Sequence, residues 1–267
     1  MSSDVENRRR RFLKRRKEKG IASSMSMMGH LGELRDRLIV SALAFVVLSI
    51  IAFIVYEPIL AFFKRPLCEV PESLLGPQGC DLTFFKATGG FSFRLKLTAL
   101  VGLAAASPIW MYEIYAFVTP ALTPKEKRYT LPFLFSAVIL FTIGAGVAYF
   151  AMPRGLEFLL KIGGEGLTAL LGAEEYLNFV GFMLLGFAVA FELPLILFFL
   201  GLAGAITIEQ LKKRRREALV GIALLAAIVT PSQDPYTLLL LMIPLYLLYE
   251  LTIVLLRIVK RRKTAAA

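Results

Sequence analysis

Long apolar stretches separated by short charged segments dominate this chain. The apolar runs cover residues 38–56, 93–117, 129–152, 176–202, 218–229 and 236–256, and the segments 57–92 and 153–175 between them are predicted as loops. Within each run apolar residues predominate and do not alternate with polar ones with period two, which is typical of membrane helices and not of barrel strands. Because a hydrocarbon core about 30 Å thick takes roughly 20 apolar residues per helix, the pattern predicts an all-α membrane protein with six transmembrane helices.

The fifth run is shorter than the others. Its 12 residues cover about 18 Å as a helix, which is less than the thickness of the hydrocarbon core. Length alone leaves two interpretations open. The run is either a buried or re-entrant helix, or a span that crosses a locally thinned bilayer.

Composition and the placement of charge fit a membrane protein. Hydrophobic residues make up 57% of the 267 positions and charged residues only 19%, against about 45–50% and about 25% in soluble domains. The net charge is +11, and 24 of the 31 Lys and Arg lie before the first run, between runs two and three, between runs four and five, or after run six. Basic loops remain in the cytoplasm, so we predict that both termini are cytoplasmic. Topology therefore accounts for the charge, and no nucleic-acid partner is predicted.

The predicted domain organisation is simple. Residues 1–27 form a disordered basic cytoplasmic tail, residues 28–257 form the membrane domain, and residues 258–267 form a second basic tail. These bounds follow the change from charged to apolar composition.

The two cysteines lie in the segment 57–92, which we interpret as a loop because it is rich in Pro and Gly. The predicted orientation puts this loop on the external, oxidising side of the membrane. A disulfide between Cys68 and Cys80 would stabilise that loop by on the order of 3 kcal/mol. Two free thiols are the alternative. With His30 as the only histidine, the chain has too few ligands for a zinc pattern, and no metal or cofactor is predicted.

Three carboxylates lie within apolar runs, where each charge costs roughly 2.5–3.5 kcal/mol on insertion scales. Glu192 is deep in the fourth run and precedes Pro194, which can kink the helix. We interpret it as a functional group facing a polar cavity, the alternative being a protonated side chain that donates a hydrogen bond in the bundle. Glu113 and Glu250 lie nearer the cytoplasmic ends, and we interpret them as structural groups that reach the interface.

Two of the carboxylates in the basic cytoplasmic segments, Glu33 and Glu126, are candidates for a binding role. Glu33 is four residues before Arg37 in HLGELRDRL, so the two can pair on a helix. Glu126 is the only acid in the turn TPALTPKEKR, which Pro120 helps to rigidify. Carboxylates bind guanidinium groups in a bidentate manner, so these two could instead receive two arginines from another chain.

Four motifs together carry a resemblance to a known family: HLGELRDRL, FVTPALTPKEKR, FELP and TPSQDPYTLLLLMIPLYLLYE. Their order and spacing over residues 28–257 resemble the TatC family. The resemblance implies six tilted helices in a cupped bundle in the bacterial inner membrane, and no enzymatic activity. It also implies a receptor for signal peptides with an Arg-Arg pair on folded cargo, single-span TatB-like and TatA-like partners, contact with membrane lipid, and room for a homo-oligomer within the complex.

The resemblance assigns roles to individual positions. Glu33 and Glu126 match the signal-peptide contacts, and Glu192 matches an intramembrane acid that meets polar residues of the partner helices. The remaining positions belong to the same motifs or to the external loops: Arg35, Phe117, Pro120, Pro66 and Asp234. Asp234 departs from the usual pattern, because TPSQDPYT places it one position later than the family's aspartate.

The basic tail contains one further pattern, RRRFLK at residues 9–14, which resembles the signal peptides that such a receptor would bind. It is either a chance match within a basic run or a tethered imitation of the ligand. Unchanged signal-peptide affinity after deletion of residues 2–20 would exclude the second interpretation.

Alternative functions have weaker support in the sequence. A small-molecule secondary transporter would be expected to show internal repeats, which are not evident. An intramembrane enzyme would need a nucleophile or metal motif, and the chain has no GxSxG or HExxH. A passive membrane scaffold differs from a receptor only in that it does not contact cargo, so it should tolerate Ala at Glu33 and Glu126.

Overall fold

The computed structural model describes residues 29–118, 130–162, 170–202, 204–231 and 234–265. The two predicted contacts Pro120 and Glu126 and the RRRFLK pattern lie outside these ranges. The described helices are α1 Gly29–Ile54, α2 Tyr56–Cys68, a 3₁₀ helix Glu72–Leu74, α3 Gly89–Ala105, α4 Ser107–Val118, α5 Thr130–Ile162, α6 Ala173–Ala190, α7 Leu193–Leu202, α8 Ile208–Lys213, α9 Arg215–Val229 and α10 Pro235–Ala265.

The all-α membrane class is confirmed. Four helical segments of the described chain are long and apolar enough to cross a membrane: Gly29–Ile54, Pro132–Ile162, Ala173–Leu202 and Pro235–Val259. The pair α3 and α4 makes a fifth if it is one bent span. Helix α9 has 15 residues, about 22 Å of helix, so it falls short of the hydrocarbon thickness, as the sequence predicts for this run. The count of six spans stays a prediction.

Helix α1 packs lightly on the rest of the chain, with 6% of its apolar window buried. It approaches α3 closely at Gly102, where an added Cβ would lie 2.7 Å from the Cα and N of Ser49. At its carboxyl end, the Arg94 guanidinium lies over the rings of Phe53 and Tyr56 and donates a 3.0 Å hydrogen bond to the Phe53 carbonyl. A cation stabilises the carboxyl end of a helix, so Arg94 holds the corner at which α1 ends.

The second apolar run is broken. Helices α3 and α4 meet at Ala106 with a bend of 52°. Pro108 follows the break and has no N–H to donate, and the indole of Trp110 donates to the Leu103 carbonyl at 3.2 Å. The bend orients α4, which carries Glu113, toward the start of α1.

The predicted external loop 57–92 is wrong in its first part, because residues from Tyr56 to Cys68 form α2. Pro66 is therefore a buried residue inside a helix and not a loop residue. The Pro and Gly residues that suggested a loop are concentrated after Cys68, whereas Phe63 and Leu67 form a buried face that stabilises the helix.

The disulfide between Cys68 and Cys80 is present and belongs to a compact cap. Lys64 Nζ lies 2.6 Å from the Asp81 carboxylate, and this hydrogen bond holds the pKa of Asp81 below its usual value. Thr83 exchanges backbone hydrogen bonds with Leu171 and Ala173 across the bundle. We call the end formed by α2, the disulfide and this bridge the cap end.

The predicted loop 153–175 is also wrong in its first part. Helix α5 continues through Pro153 to Ile162, although proline removes one hydrogen bond from a helix interior. Leu156 is buried in the main core beyond the proline, and Glu157 bonds both Arg154 and Lys161. Core burial and these ion pairs keep the helix intact after Pro153.

Candidate functional site

The start of α1 and the end of α4 meet in a cluster of charged and aromatic side chains. We call this the Glu33 cluster; its members are His30, Glu33, Arg37, Glu113 and Phe117. It lies at the opposite end of α1 from the cap. Glu33 and Phe117 were predicted as site residues from the sequence, and the structure places them in the same cluster.

Arg37 is the centre of the cluster. Its Nε and Nη2 donate to Glu33 Oε1 at 3.0 and 2.5 Å, and its Nη1 donates to Glu113 Oε2 at 2.9 Å. The predicted pairing of Glu33 with Arg37 is thus present, and a carboxylate from α4 is added to it. The guanidinium fork suits two carboxylates because its donors point in fixed directions.

Aromatic stacking joins the two helices next to these ion pairs. The His30 imidazole lies parallel to the Phe117 ring, with a centroid distance of 4.1 Å and an interplanar angle of 9°. His30 Nδ1 also lies 3.6 Å from Glu33 Oε2. His30 therefore links the carboxylate to the aromatic residue.

His30 and Glu113 were not predicted as members of this site. Helical spacing carried a signal for both, because His30 is three residues before Glu33 and Glu113 is four residues before Phe117. The contact between the two helices, by contrast, depends on the bend at Ala106, which the sequence pattern did not predict.

Arg35 lies on α1 between Glu33 and Arg37 and pairs with a different carboxylate. Its guanidinium pairs with the neighbouring Asp36 at 3.0 Å, and the side chain is 75% exposed. The structure therefore makes it available to solvent and does not pair it with Glu33.

Glu192 lies at the break between α6 and α7, as the proline at position 194 suggested. Helix α5 approaches closely here, since a Cβ at Gly144 would lie 2.7 Å from the Phe187 carbonyl. The Oε1 atom of Glu192 is buried and receives no hydrogen bond from the described residues. A buried carboxyl oxygen that lacks a partner among the described residues can accept a hydrogen bond from another molecule.

Asp234 is a buried helix cap and not an exposed loop residue. Its side chain is 1% exposed, and its Oδ1 accepts a 2.8 Å hydrogen bond from the Thr237 N–H. Asp234 followed by Pro235 is a favourable start for α10. The aspartate accepts a hydrogen bond from a backbone N–H of the first turn, and proline has no backbone N–H that would require an acceptor.

Glu250 has a structural partner, in agreement with its interpretation from the sequence. Its Oε2 accepts a 2.6 Å hydrogen bond from Arg215 at the start of α9. The same cross-helix pairing accounts for Glu113. Within the described ranges, no group of three or more His, Cys, Asp or Glu side chains is arranged to hold a metal ion.

The apolar helices and the charged cluster at one end define an integral membrane protein with a polar contact surface at one end of its bundle. The chain belongs to the family described as Sec-independent protein translocase protein (TatC), whose profile matches residues 29–244.

Individual relatives agree with this assignment. The Frankia casuarinae Sec-independent protein translocase protein TatC is 38% identical over 87% of this chain. The Aquifex aeolicus protein of the same name is 37% identical over 90% of this chain and 98% of its own length. This chain spans only 65% of the length of the Frankia relative. A crystal structure described as the twin arginine translocase receptor TatC in DDM matches with a TM-score of 0.70 at 37% identity, covering 85% of this chain and 98% of that one.

Proposed function

We propose that this chain is a subunit of a twin-arginine translocase that binds the Arg-Arg signal peptides of folded cargo and nucleates the export complex. The observation that carries the proposal is the Glu33 cluster, in which carboxylates from α1 and α4 lie beside the stacked pair His30 and Phe117. Carboxylates beside an aromatic surface suit a guanidinium, which takes bidentate hydrogen bonds and stacks on rings.

Selectivity for arginine follows from the charge balance of the chain. The net charge of +11 disfavours an arbitrary cation, so a cationic ligand depends on local carboxylates. Lysine lacks the planar fork of arginine and should bind less tightly. We assign Glu33 and Glu126 to the two arginines, and Arg35, Phe117 and Pro120 to the surrounding surface.

The test is binding of a synthetic Arg-Arg signal peptide to the purified protein in detergent. An Arg-Arg peptide should bind at least about tenfold more tightly than a Lys-Lys peptide, and a Glu33→Ala/Glu126→Ala variant should lose this preference. Glu209→Gln on α8, an exposed carboxylate distant in sequence, is the matched control and should bind as the unaltered protein does. If all combinations bind alike, or none binds, Glu33 and Glu126 are not a sufficient site, and either the site needs a partner subunit or the protein is a passive scaffold.

The proposal includes a topology. Six spans with both termini in the cytoplasm of a bacterial inner membrane satisfy the positive-inside rule, and they put the Glu33 cluster on the cytoplasmic face. Single cysteines introduced at Ser73 and Ala266, in a variant without Cys68 and Cys80, test this with a membrane-impermeant maleimide. In intact spheroplasts the reagent should label the cysteine at position 73 only. Labelling at position 266 would place the carboxyl terminus outside and contradict the proposed topology.

The assembly partners in the proposal are single-span TatA-like and TatB-like proteins. The partly buried Glu192, with an oxygen that lacks a hydrogen bond from the described chain, supports a polar contact from a partner helix. Crosslinking from a photoreactive residue at position 196 to a co-expressed partner, lost in Glu192→Ala and retained in Glu192→Gln, would support this role. Crosslinking that is unaffected by Glu192→Ala would remove it.

A further inference from the structure

The carboxylate of Glu33 is bound by the guanidinium of Arg37 from the same chain. Two of its nitrogens donate to the same carboxylate oxygen, Glu33 Oε1. The other oxygen, Oε2, lies beside His30. A bidentate hydrogen bond from an incoming arginine would need both oxygens of Glu33, so a ligand cannot form it without moving Arg37.

Glu113 provides a second carboxylate to which Arg37 can remain bound. Its Oε2 already holds Arg37 Nη1 at 2.9 Å, and its side chain is less exposed than that of Glu33, at 14% against 34%. Glu113 belongs to α4 and Glu33 to α1, so the guanidinium can leave one carboxylate and keep the other. Without Glu113, release of Glu33 would leave a partly buried cation with no anionic partner, which is costly.

We propose that Arg37 is a resident guanidinium that occupies Glu33 in the absence of ligand, and that Glu113 is a positioning residue that retains Arg37 when a ligand arginine takes Glu33. This rests on the proposed function. In the liganded state each guanidinium has a carboxylate, and the charge of the cluster is balanced. In the free state one guanidinium bridges both carboxylates and limits the binding of weaker cations.

If Arg37 competes with the ligand for Glu33, its removal should tighten peptide binding, whereas removal of one member of a purely structural ion pair should weaken it. Arg37→Gln frees Glu33 and should tighten binding of an Arg-Arg peptide by about threefold to tenfold. Glu113→Gln should weaken binding by a similar factor, although Glu113 does not contact the peptide. The double variant Arg37→Gln/Glu113→Gln should bind at least as tightly as the unaltered protein, because the group that competes for Glu33 is absent.

The chain offers a matched control at another helix pair. Arg215 and Glu250 form a cross-helix ion pair at 2.6 Å, so Arg215→Gln and Glu250→Gln remove comparable interactions away from the cluster. Both should leave peptide affinity unchanged. The thermal midpoint of every variant is measured in parallel, which separates a loss of folding from a change in the site.

Each outcome has a defined meaning. Tighter binding by Arg37→Gln together with weaker binding by Glu113→Gln supports the inference. Weaker binding by both single variants, without recovery in the double variant, shows a structural tie between α1 and α4 and overturns it. If the unaltered protein does not prefer Arg-Arg over Lys-Lys, the proposed function fails first, and an unchanged affinity in Arg37→Gln with that preference intact overturns the inference alone.

Discussion

Phe117 shows how a single side chain can position a site without charge. Its ring holds His30 in a parallel stack, and His30 precedes Glu33 by one helical turn. Aromatic pairs contribute about 0.5–1.5 kcal/mol beyond their buried area. The stack therefore helps to fix the start of α1, whose window of apolar residues is otherwise almost unburied.

Substitution at position 117 tests this role. Phe117→Ala should lower the affinity for an Arg-Arg peptide by about twofold to tenfold, because the start of α1 loses its contact with α4. Phe117→Tyr keeps the ring and should retain most of the affinity. An Ala variant that binds as well as the Tyr variant would mean that the stack does not position Glu33.

Asp81 gives a prediction on pH at the opposite end of the molecule. Its pKa is lowered by the hydrogen bond from Lys64, so the folded state binds this proton more weakly than the unfolded state. The ion pair therefore stabilises the fold above the ordinary aspartate pKa of about 4, and that stabilisation is lost as the pH falls through the folded-state value.

The measurement is the thermal midpoint in detergent between about pH 2 and pH 7. Asp81→Asn should melt below the unaltered protein at neutral pH, and the difference should disappear at the acidic end. Glu72→Gln, an exposed neighbour, should show no such change. A difference between the proteins that grows toward low pH would have the wrong sign for this account.

At the scale of whole elements, Gly102 is the position at which α1 rests on α3. A Cβ there would lie 2.7 Å from backbone atoms of Ser49, so one helix must move to accommodate it. Overpacking of this kind costs about 1–3 kcal/mol. Because α1 carries Glu33, the displacement should also affect the Glu33 cluster.

Gly102→Ala should therefore lower the thermal midpoint by several degrees, at about 2–4 °C per kcal/mol, and weaken peptide binding. Gly146→Ala on α5 is the matched control, since nothing lies within 4 Å of its added Cβ. It should be neutral or slightly stabilising, because alanine favours helix. Equal effects of the two substitutions would show that α1 is not held at Gly102.

Elements were predictable from the sequence wherever hydrophobic runs decided them, and less so where packing did. The runs that became α1, α5, α6 with α7, and α10 were evident from composition alone. Helix α2 and the part of α5 after Pro153 were predicted as loop, because Pro and Gly residues in a sequence weigh against a helix. Both segments are helical because residues such as Leu67 and Leu156 are buried and stabilise them. The partnership of Glu113 with Arg37 depends on residues 76 apart, which local spacing does not reveal.

At the scale of the whole molecule, the two ends of the bundle are built differently. The cap end is held by a disulfide, an ion pair and backbone hydrogen bonds between distant segments. The Glu33 cluster at the other end relies on ion pairs and a stacked ring pair. A substitution that destabilises the cap end should therefore leave ligand binding at the Glu33 cluster unchanged.

Removal of the disulfide tests that separation. Cys68→Ala/Cys80→Ala should lower the free energy of unfolding by on the order of 3 kcal/mol, because the unfolded chain gains conformational entropy when the crosslink between these residues, 12 positions apart, is removed. Affinity for an Arg-Arg peptide should be unchanged at temperatures well below the midpoint. A large loss of affinity would show that the cap and the Glu33 cluster are coupled.

The most direct test of the central claim is a double-mutant cycle between the protein and its ligand. Each peptide arginine is replaced in turn by citrulline, a neutral group of the same shape, and binding is measured to the unaltered protein, Glu33→Gln and the control Glu209→Gln. We predict that one arginine couples to Glu33 by at least about 1 kcal/mol, roughly fivefold in affinity, and that neither couples to Glu209. Additive effects at Glu33 for both arginines would contradict it, because Glu33 would then not receive the guanidinium.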